Sequence, residues 1–271
     1  MLSVEVAGLG LNWSIWMGSC CQMAVLMAVA LAGAGQAASA EPRAVIELFT
    51  SQGCSSCPPA DALLGKLAHD PNVIALSLPI DYWDYIGWKD TLALPGHANR
   101  QKAYSRVRGD RAGVYTPQAI VNGAAQALGS DATDIEHAIT QTHHNAETLS
   151  IPLSLSTADD RVTVNAPAAK APDEHGEVWL CPVSSAVEVA IGRGENHGRT
   201  ITYHNAVRRW IKLGEWNGTP ATWTVPLKEV KTAGVDAVAV LLQSGTAARP
   251  GPMLGAAMTS LQVAQPIAAS R

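Results

Sequence analysis

A Cys-x-x-Cys pair at the junction of a predicted strand and a predicted helix constrains the fold more than any other feature. The apolar run Ala44–Phe49 is typical of a buried strand, and a polar turn leads from it to Cys54 and Cys57. Two prolines follow, which a first helical turn tolerates. Apolar side chains then recur with the spacing of one helix face, at positions 60, 63, 64 and 67. We therefore expect both sulfurs at a helix N-terminus.

This position has chemical consequences for the cysteine pair. Unpaired N–H groups and the helix dipole stabilise a nearby anion, so a thiolate is favoured there. A Cys-x-x-Cys pair between a strand and a helix indicates thiol–disulfide chemistry. A zinc site and a purely structural disulfide are the alternatives. Zinc would normally need a second ligand pair, and the sequence has no second Cys-x-x-Cys and no His-x-x-x-His.

The N-terminal residues predict export. An apolar stretch at 23–35 precedes Ala38-Ser39-Ala40, which has the small-x-small pattern of a signal peptidase site. We therefore assign residues 1–40 as a signal peptide and expect a periplasmic or secreted protein without stable membrane insertion after cleavage. A start at Met17 or Met23, or a retained anchor, is the alternative, because no Lys or Arg precedes Arg43.

The composition limits the domain number and the partners. A chain of 271 residues forms one large or two modest domains. Its formal charge of -4 offers no basic excess, so no nucleic-acid partner is expected.

A second apolar strand is predicted at 72–80, parallel to the first, and an aromatic and acidic segment follows it. Loops after the carboxyl ends of parallel strands emerge at the same edge of a sheet. The segment should therefore lie beside the cysteines and line a substrate groove with four side chains, Asp81, Tyr82, Trp83 and Trp88. Alternatively, the rings only pack this long loop onto the domain.

The rest of the first half alternates helices and strands. We expect an exposed helix at 96–107, and a short strand at 118–121 that begins after Thr116-Pro117. The Asn-Gly turn that follows predicts a hairpin to a strand at 124–128, and a helix is expected at 131–143.

The second half of the chain has a different residue pattern. Short β-type segments, separated by turn residues, predict a mostly antiparallel sandwich that packs against the first half. These segments are 149–155, 161–164, 177–181, 185–189, 200–203, 222–225 and 235–242. Cys181 lies in one of them and is expected to be an inert core thiol.

The order of elements from Glu41 to Asn145 resembles the thioredoxin fold. Four longer stretches resemble a family of secreted thioredoxin-like proteins named Domain of Unknown Function 1223. They are ELFTSQGCSSCPPAD at 47–61, DYWDYIGWKD at 81–90, YTPQAIVNG at 115–123 and GENHGRTITYHN at 194–205. The resemblance implies an α/β thioredoxin-like domain at 41–147. The β-type segments that follow predict a β-sandwich-like domain at 148–271.

The resemblance also implies roles for individual residues. Pro117 matches a cis-proline that faces the cysteine pair, and Thr116 would offer its backbone to an extended peptide. Glu47 corresponds to a buried acid that relays a proton to Cys57, although its spacing is one residue longer than in thioredoxins. Alternatively, Glu47 lies at a wet edge or pairs with a Lys or Arg.

These observations together predict an exported thiol–disulfide exchange protein. Cys54 and Cys57 would form the catalytic pair and its disulfide, protein thiols or disulfides would be the substrates, and neither a cofactor nor a metal is expected. The alternatives are a non-catalytic binding protein with a structural disulfide, and a Cu(I)-handling protein that recruits His97. The direction of exchange and the oligomeric state stay open.

Overall fold

The computed structural model describes residues 41–109, 113–171 and 174–261. The signal-peptide prediction and the alternative starts at Met17 and Met23 fall outside these residues. The described helices are α1 (Pro58–Leu67), α2 (Pro95–Arg108), α3 (Ala132–Thr142) and the single-turn α4 (Leu227–Val230). None of them is long and apolar enough to cross a membrane.

The described chain has twelve strands. They are β1 (Ala44–Thr50), β2 (Val73–Pro79), β3 (Gln118–Val121), β4 (Ala125–Leu128), β5 (Ser154–Ala158), β6 (Arg161–Ala166), β7 (Gly176–Ala190), β8 (Thr200–Val207), β9 (Ile211–Trp216), β10 (Ala221–Pro226), β11 (Ala237–Thr246) and β12 (Arg249–Ser260). Nine of them form one mixed sheet in the order β12-β11-β7-β8-β2-β1-β3-β4, with β9 also paired to β7. The remaining three form a small antiparallel sheet in the order β10-β6-β5.

The predicted fold class, an α/β thioredoxin-like fold followed by a separate β-sandwich-like domain, is wrong. The described residues are mostly β, and one nine-stranded mixed sheet takes strands from both halves of the sequence. The two halves join where β8 runs parallel to β2, with Ser77 opposite Ala206. The Asn205 side chain supports this joint by donating a hydrogen bond to the carbonyl oxygen of Ala75 at 2.9 Å. The sheet therefore continues across residue 147, and the predicted domain boundary there stays a prediction.

Side-chain alternation along β1 places helices on both faces of the sheet. Ile46 and Leu48 belong to an apolar cluster with α1 and α3, whereas Val45 and Phe49 pack in another cluster with Tyr104 of α2. The helix predicted at 96–107 is confirmed as α2, but it is not simply exposed. One side of it is buried in the core, because His97, Ala98 and Gln101 are among its buried residues.

The small sheet covers the part of the large sheet that the second half supplies. Val162 and Val164 of β6 share an apolar cluster with Val178, Leu180 and residues of β11. This local face-to-face packing resembles the predicted sandwich, but one of its layers is the shared nine-stranded sheet.

The second half also departs from the predicted strands. The segments predicted at 177–181 and 185–189 form the single long strand β7, and residues 149–153 precede β5 rather than form a strand. Neither β9 nor β12 is predicted from the sequence. Pro250, Pro252 and two glycines make β12 look like a loop, but within the described sheet this strand lies at the end of the order, beside β11, where proline is tolerated.

Candidate functional site

The cysteine pair lies where β1 turns into α1, as predicted. β1 ends at Thr50, α1 begins at Pro58, and Cys57 is the N-cap residue of α1. Cys54 and Cys57 form a disulfide, which confirms the predicted bridge. The carbonyl oxygen of Cys57 accepts hydrogen bonds from Ala60 N and Asp61 N, so the bridge is fixed to the first helical turn.

The two sulfurs differ in their access to solvent. Cys54 is 4% exposed and Cys57 is fully buried, whereas the intervening Ser55 and Ser56 are exposed. An incoming group therefore meets Cys54 first. Cys57 can react only with a partner that is already inside the protein.

A chain of hydrogen bonds ends on the sulfur of Cys54. Trp83 Nε1 donates to Thr116 Oγ1 at 2.8 Å, and the Thr116 hydroxyl donates to Cys54 Sγ at 3.2 Å. The next peptide bond, Thr116–Pro117, is cis. The structure thus brings two of the predicted site residues, Trp83 and Thr116, to the outer cysteine, and Pro117 follows Thr116 through the cis bond. A donor aimed at a sulfur stabilises its thiolate form.

The two tryptophans of the aromatic segment after β2 make different contacts near the cysteine turn. Trp88 Nε1 donates to Gln52 Oε1 at 2.8 Å, so this ring buttresses the turn before Cys54. Trp83 stacks on Tyr85, which is 78% exposed, with ring centroids 6.0 Å apart. This stacked pair offers an exposed aromatic surface beside the site.

The other two predicted groove residues have different neighbours. The Tyr82 hydroxyl donates to Gln101 Oε1 of α2 at 3.1 Å, and burial raises the pKa of this phenol to about 12. Asp81 is partly buried, and its main-chain oxygen accepts the N–H of Asp84 in the turn that follows.

Glu47 lies on the other face of β1. Its carboxylate accepts two bonds from Arg100, from Nε at 2.6 Å and from Nη2 at 3.1 Å, and one from the Tyr104 hydroxyl at 2.5 Å. Because Glu47 has the same parity along β1 as Val45 and Phe49, it faces α2 rather than α1. This geometry does not support a proton relay from Glu47 to Cys57, and it matches the alternative of a pair with an arginine.

A buried acid that the sequence analysis missed lies on the helix of the cysteines. Asp61 is one turn after Cys57 in α1 and 2% exposed. Its Oδ1 accepts a hydrogen bond from the Thr50 hydroxyl at 2.8 Å, while its Oδ2 has no partner among the described residues. Burial raises the pKa of Asp61 to about 8, although the bond from Thr50 opposes this and the charge of Asp90 adds to it. The sequence signal was a carboxylate four positions after Cys57.

Asp90 anchors the turn from the other side. Its carboxylate accepts N–H groups of Gln52 at 2.8 Å, Leu92 at 2.9 Å and Ala93 at 3.0 Å. Burial raises the pKa of Asp90 to about 6, and the three backbone donors limit the rise. Two acids with raised pKa values, Asp61 and Asp90, are thus buried close to the cysteine turn.

A loop of the second half, residues 191–199, completes the site. The Asn196 side-chain amide donates to the carbonyl oxygens of Gln52 at 3.0 Å and Cys54 at 2.8 Å. Glu195 accepts the N–H of Ser55 at 3.3 Å. Gly194 leaves space for Trp88, whose Cβ lies 3.4 Å from where a side chain would begin. These contacts agree with the expectation that the second half packs against the first, and they place this loop beside the cysteine turn.

His97, the histidine of the Cu(I) alternative, packs beside Pro79 and Trp210. His97 is buried, its Nδ1 lies 2.8 Å from the carbonyl oxygen of Pro79, and its ring meets Trp210 edge-on. Burial lowers the pKa of His97 to about 4. Within the described ranges, no group of three or more His, Cys, Asp or Glu side chains is arranged to hold a metal ion. Cys181 is a buried free thiol, and burial raises its pKa.

Comparisons with known proteins match most of the chain. Two solved structures resemble it, of which one, a protein from Agrobacterium tumefaciens, has a TM-score of 0.72 and 33% identity, over 83% of this chain and 98% of that one. HBP35 of Porphyromonas gingivalis has a TM-score of 0.52 at 13% identity, over 85% of this chain and 79% of that one, a likeness of fold alone. No curated protein matches. Residues 45–243 match the family model described as a protein of unknown function (DUF1223), and the chain therefore belongs to the DUF1223 family.

Proposed function

We propose that this chain is an exported thiol–disulfide exchange protein that acts in the periplasm or outside the cell. One observation supports the proposal most: the hydrogen-bond chain from Trp83 through Thr116 to the sulfur of Cys54. A structural bridge needs no donor aimed at its outer sulfur. A nucleophilic thiolate gains from one, because hydrogen bonds to the charged form lower a thiol pKa.

The exchange runs in two balanced steps. In the reduced protein the Cys54 thiolate attacks one sulfur of a substrate disulfide, a mixed disulfide forms, and the other substrate sulfur leaves as a thiolate. Cys57, as a thiolate, then attacks Cys54 Sγ. The Cys54–Cys57 bond forms, the mixed disulfide breaks, and the second substrate thiolate leaves. The substrate is thereby reduced and the protein oxidised; the reverse sequence oxidises a substrate dithiol.

Cys57 needs a proton acceptor for the second step, because it is fully buried. Asp61 lies one helical turn further on, and its free Oδ2 has a high proton affinity because of burial. We assign to it the role that the sequence analysis gave to Glu47. With a pKa of about 8, part of the Asp61 population is ionised near neutral pH, and this carboxylate can accept the proton of Cys57.

The substrates proposed are proteins that present an extended segment with an apolar or aromatic side chain. The exposed stacked pair of Trp83 and Tyr85 provides a surface for such a side chain next to Cys54. Glu195, at the N–H of Ser55, adds a negative charge to the rim and disfavours acidic residues there.

Trapping tests the proposal. In Cys57→Ser the mixed disulfide cannot resolve, so the purified protein should accumulate substrate–Cys54 adducts that a reductant releases. Cys181→Ser is the control and should trap nothing. If reduced Cys54 resists alkylation in the folded protein, or if Cys57→Ser forms no adduct with a disulfide-bonded peptide, exchange is excluded.

A second candidate is a binding protein whose bridge is structural, and the burial of both sulfurs favours it. The reduction potential separates the two. A structural bridge should lie below about -300 mV, whereas an exchanging pair should lie at about -120 to -270 mV.

A further inference from the structure

A cleft that shares no lining residue with the cysteine site is lined by two tryptophans that meet edge to face. The rings of Trp179 and Trp210 have centroids 6.2 Å apart at 78°. The cleft measures about 360 Å³ and is completed by α2 and by the turn between β11 and β12. Its other lining residues are Gly96, Asn99, Arg100, Arg106, Ala247 and Ala248. A volume of this order is that of a small-molecule site.

The chemistry of the walls favours a flat aromatic ligand. Two perpendicular indoles form a corner in which an aromatic ring can stack on one and meet the edge of the other. Arg100 already covers Trp210, with its Cζ 4.6 Å from the ring centroid. The Nε1 of Trp210 is shielded from solvent and has no acceptor within the described part of the chain.

The charges at the cleft favour an anion over a cation. The positive charge of Arg100 is balanced by Glu47, with a contact of 2.6 Å. Glu177, which accepts the Nε1 of Trp179 at 3.2 Å, is balanced by Lys212 at 2.7 Å. Arg106, exposed on α2, lines the cleft without such a partner among the described residues. Among the described residues, the uncompensated charge at the cleft is therefore positive.

We propose that this cleft binds a small aromatic carboxylate, with its rings against Trp179 and Trp210 and its carboxylate at Arg106. Asn99 supplies a further amide at the mouth. The site is independent of the disulfide and of the proposed exchange reaction.

Three matched probes test the site: 2-naphthoate, the neutral 2-naphthamide and the cationic 2-naphthylmethylammonium. Titrated into the full chain, 2-naphthoate should bind with a Kd below about 1 mM and shift the indole N–H signals of Trp179 and Trp210 in NMR spectra. The amide should bind about tenfold more weakly, and the cation weaker still.

Variants assign the contacts. Arg106→Gln should weaken 2-naphthoate binding about tenfold and leave 2-naphthamide unchanged. Lys102→Gln, an exposed cation on the same helix that does not line the cleft, should change neither. Trp179→Leu should weaken both probes alike. No binding at about 1 mM, equal affinity for the three probes, shifts confined to other indoles, or equal effects of Arg106→Gln and Lys102→Gln would each overturn the proposal.

Discussion

Asn196 donates a hydrogen bond to the main-chain oxygen of Cys54 at 2.8 Å, across 142 positions of sequence. The same amide holds the carbonyl oxygen of Gln52 at 3.0 Å, and Asn196 is itself buried. A loop that the sequence places far from the cysteines therefore fixes the backbone that carries the outer sulfur.

Replacing Asn196 by Ala should loosen the cysteine turn. Two buried carbonyl groups lose their donor, which should cost about 1–3 kcal/mol in the free energy of unfolding, measured by urea denaturation. The disulfide should also be reduced faster by dithiothreitol, because Cys54 becomes more accessible. His197→Ala, in the same loop but exposed, is the control and should change neither value. Equal reduction rates in Asn196→Ala and the parent protein would contradict the restraint.

Thr116→Val should raise the pKa of Cys54 in the reduced protein. Valine keeps the shape of threonine but cannot donate to the sulfur, and one hydrogen bond to a charged group is worth about one pKa unit or more. The measurement is the pH dependence of Cys54 alkylation in a Cys57→Ser background. Thr116→Ser retains the hydroxyl and should keep the original profile. If the valine and serine variants titrate alike, the hydroxyl does not stabilise the thiolate.

Asp61 should make the stability of the oxidised protein fall as the pH rises. Because burial raises its pKa in the folded state to about 8, the folded protein holds a proton that the unfolded chain loses near pH 4. The contribution is fully present below that pH and is lost progressively up to about pH 8. In Asp61→Asn the free energy of unfolding should depend less on pH. Relative to the parent protein, the variant should be more stable at pH 8 than it is at pH 4, by on the order of a few kcal/mol. The measurement is urea denaturation of both proteins at several pH values. If Asp61 ionises normally in the folded state, the parent protein and Asp61→Asn should show the same dependence of unfolding free energy on pH.

Gly65 tests the packing of α1 against β8. A Cβ at this helical position would lie 2.7 Å from Cδ2 of His204. Gly65→Ala should therefore destabilise the protein, although alanine in an exposed helix interior would stabilise it by about 1 kcal/mol. In a His204→Ala background the ring is absent, and the same substitution should become neutral or stabilising. A double-mutant cycle of unfolding free energies checks this, and additivity of the two changes would argue against the contact.

Local signals predicted the elements around the cysteines. The strand, the Cys-x-x-Cys turn and the amphipathic helix follow one another within 24 residues, from Ala44 to Leu67, so propensity and periodicity were sufficient. The Asn-Gly hairpin is confirmed as well: Asn122 and Gly123 both have positive φ, 49° and 68°, as this tight turn between β3 and β4 requires.

The long-range arrangement was not predictable in the same way. Nothing in the composition of β8 says that its edge pairs with β2, so the sequence predicts two successive domains rather than one shared sheet. For a related reason, the sequence does not predict Asn196 and Asp61 as site residues. An asparagine in a Gly-rich loop and an aspartate in a first helical turn have ordinary local explanations, and only the tertiary structure brings them to the sulfurs.

The pairing of β2 with β8 has a consequence for dissecting this protein. In a fragment that ended at residue 147, β2 would become an exposed edge strand. Backbone N–H and C=O groups of this apolar strand, which is buried in the full protein, would then be unpaired. The truncation would also uncover the side chains that Ala239, Leu241 and Met253 shield. Strands of other molecules can pair with such an edge, so the truncated chain should self-associate rather than remain a folded monomer.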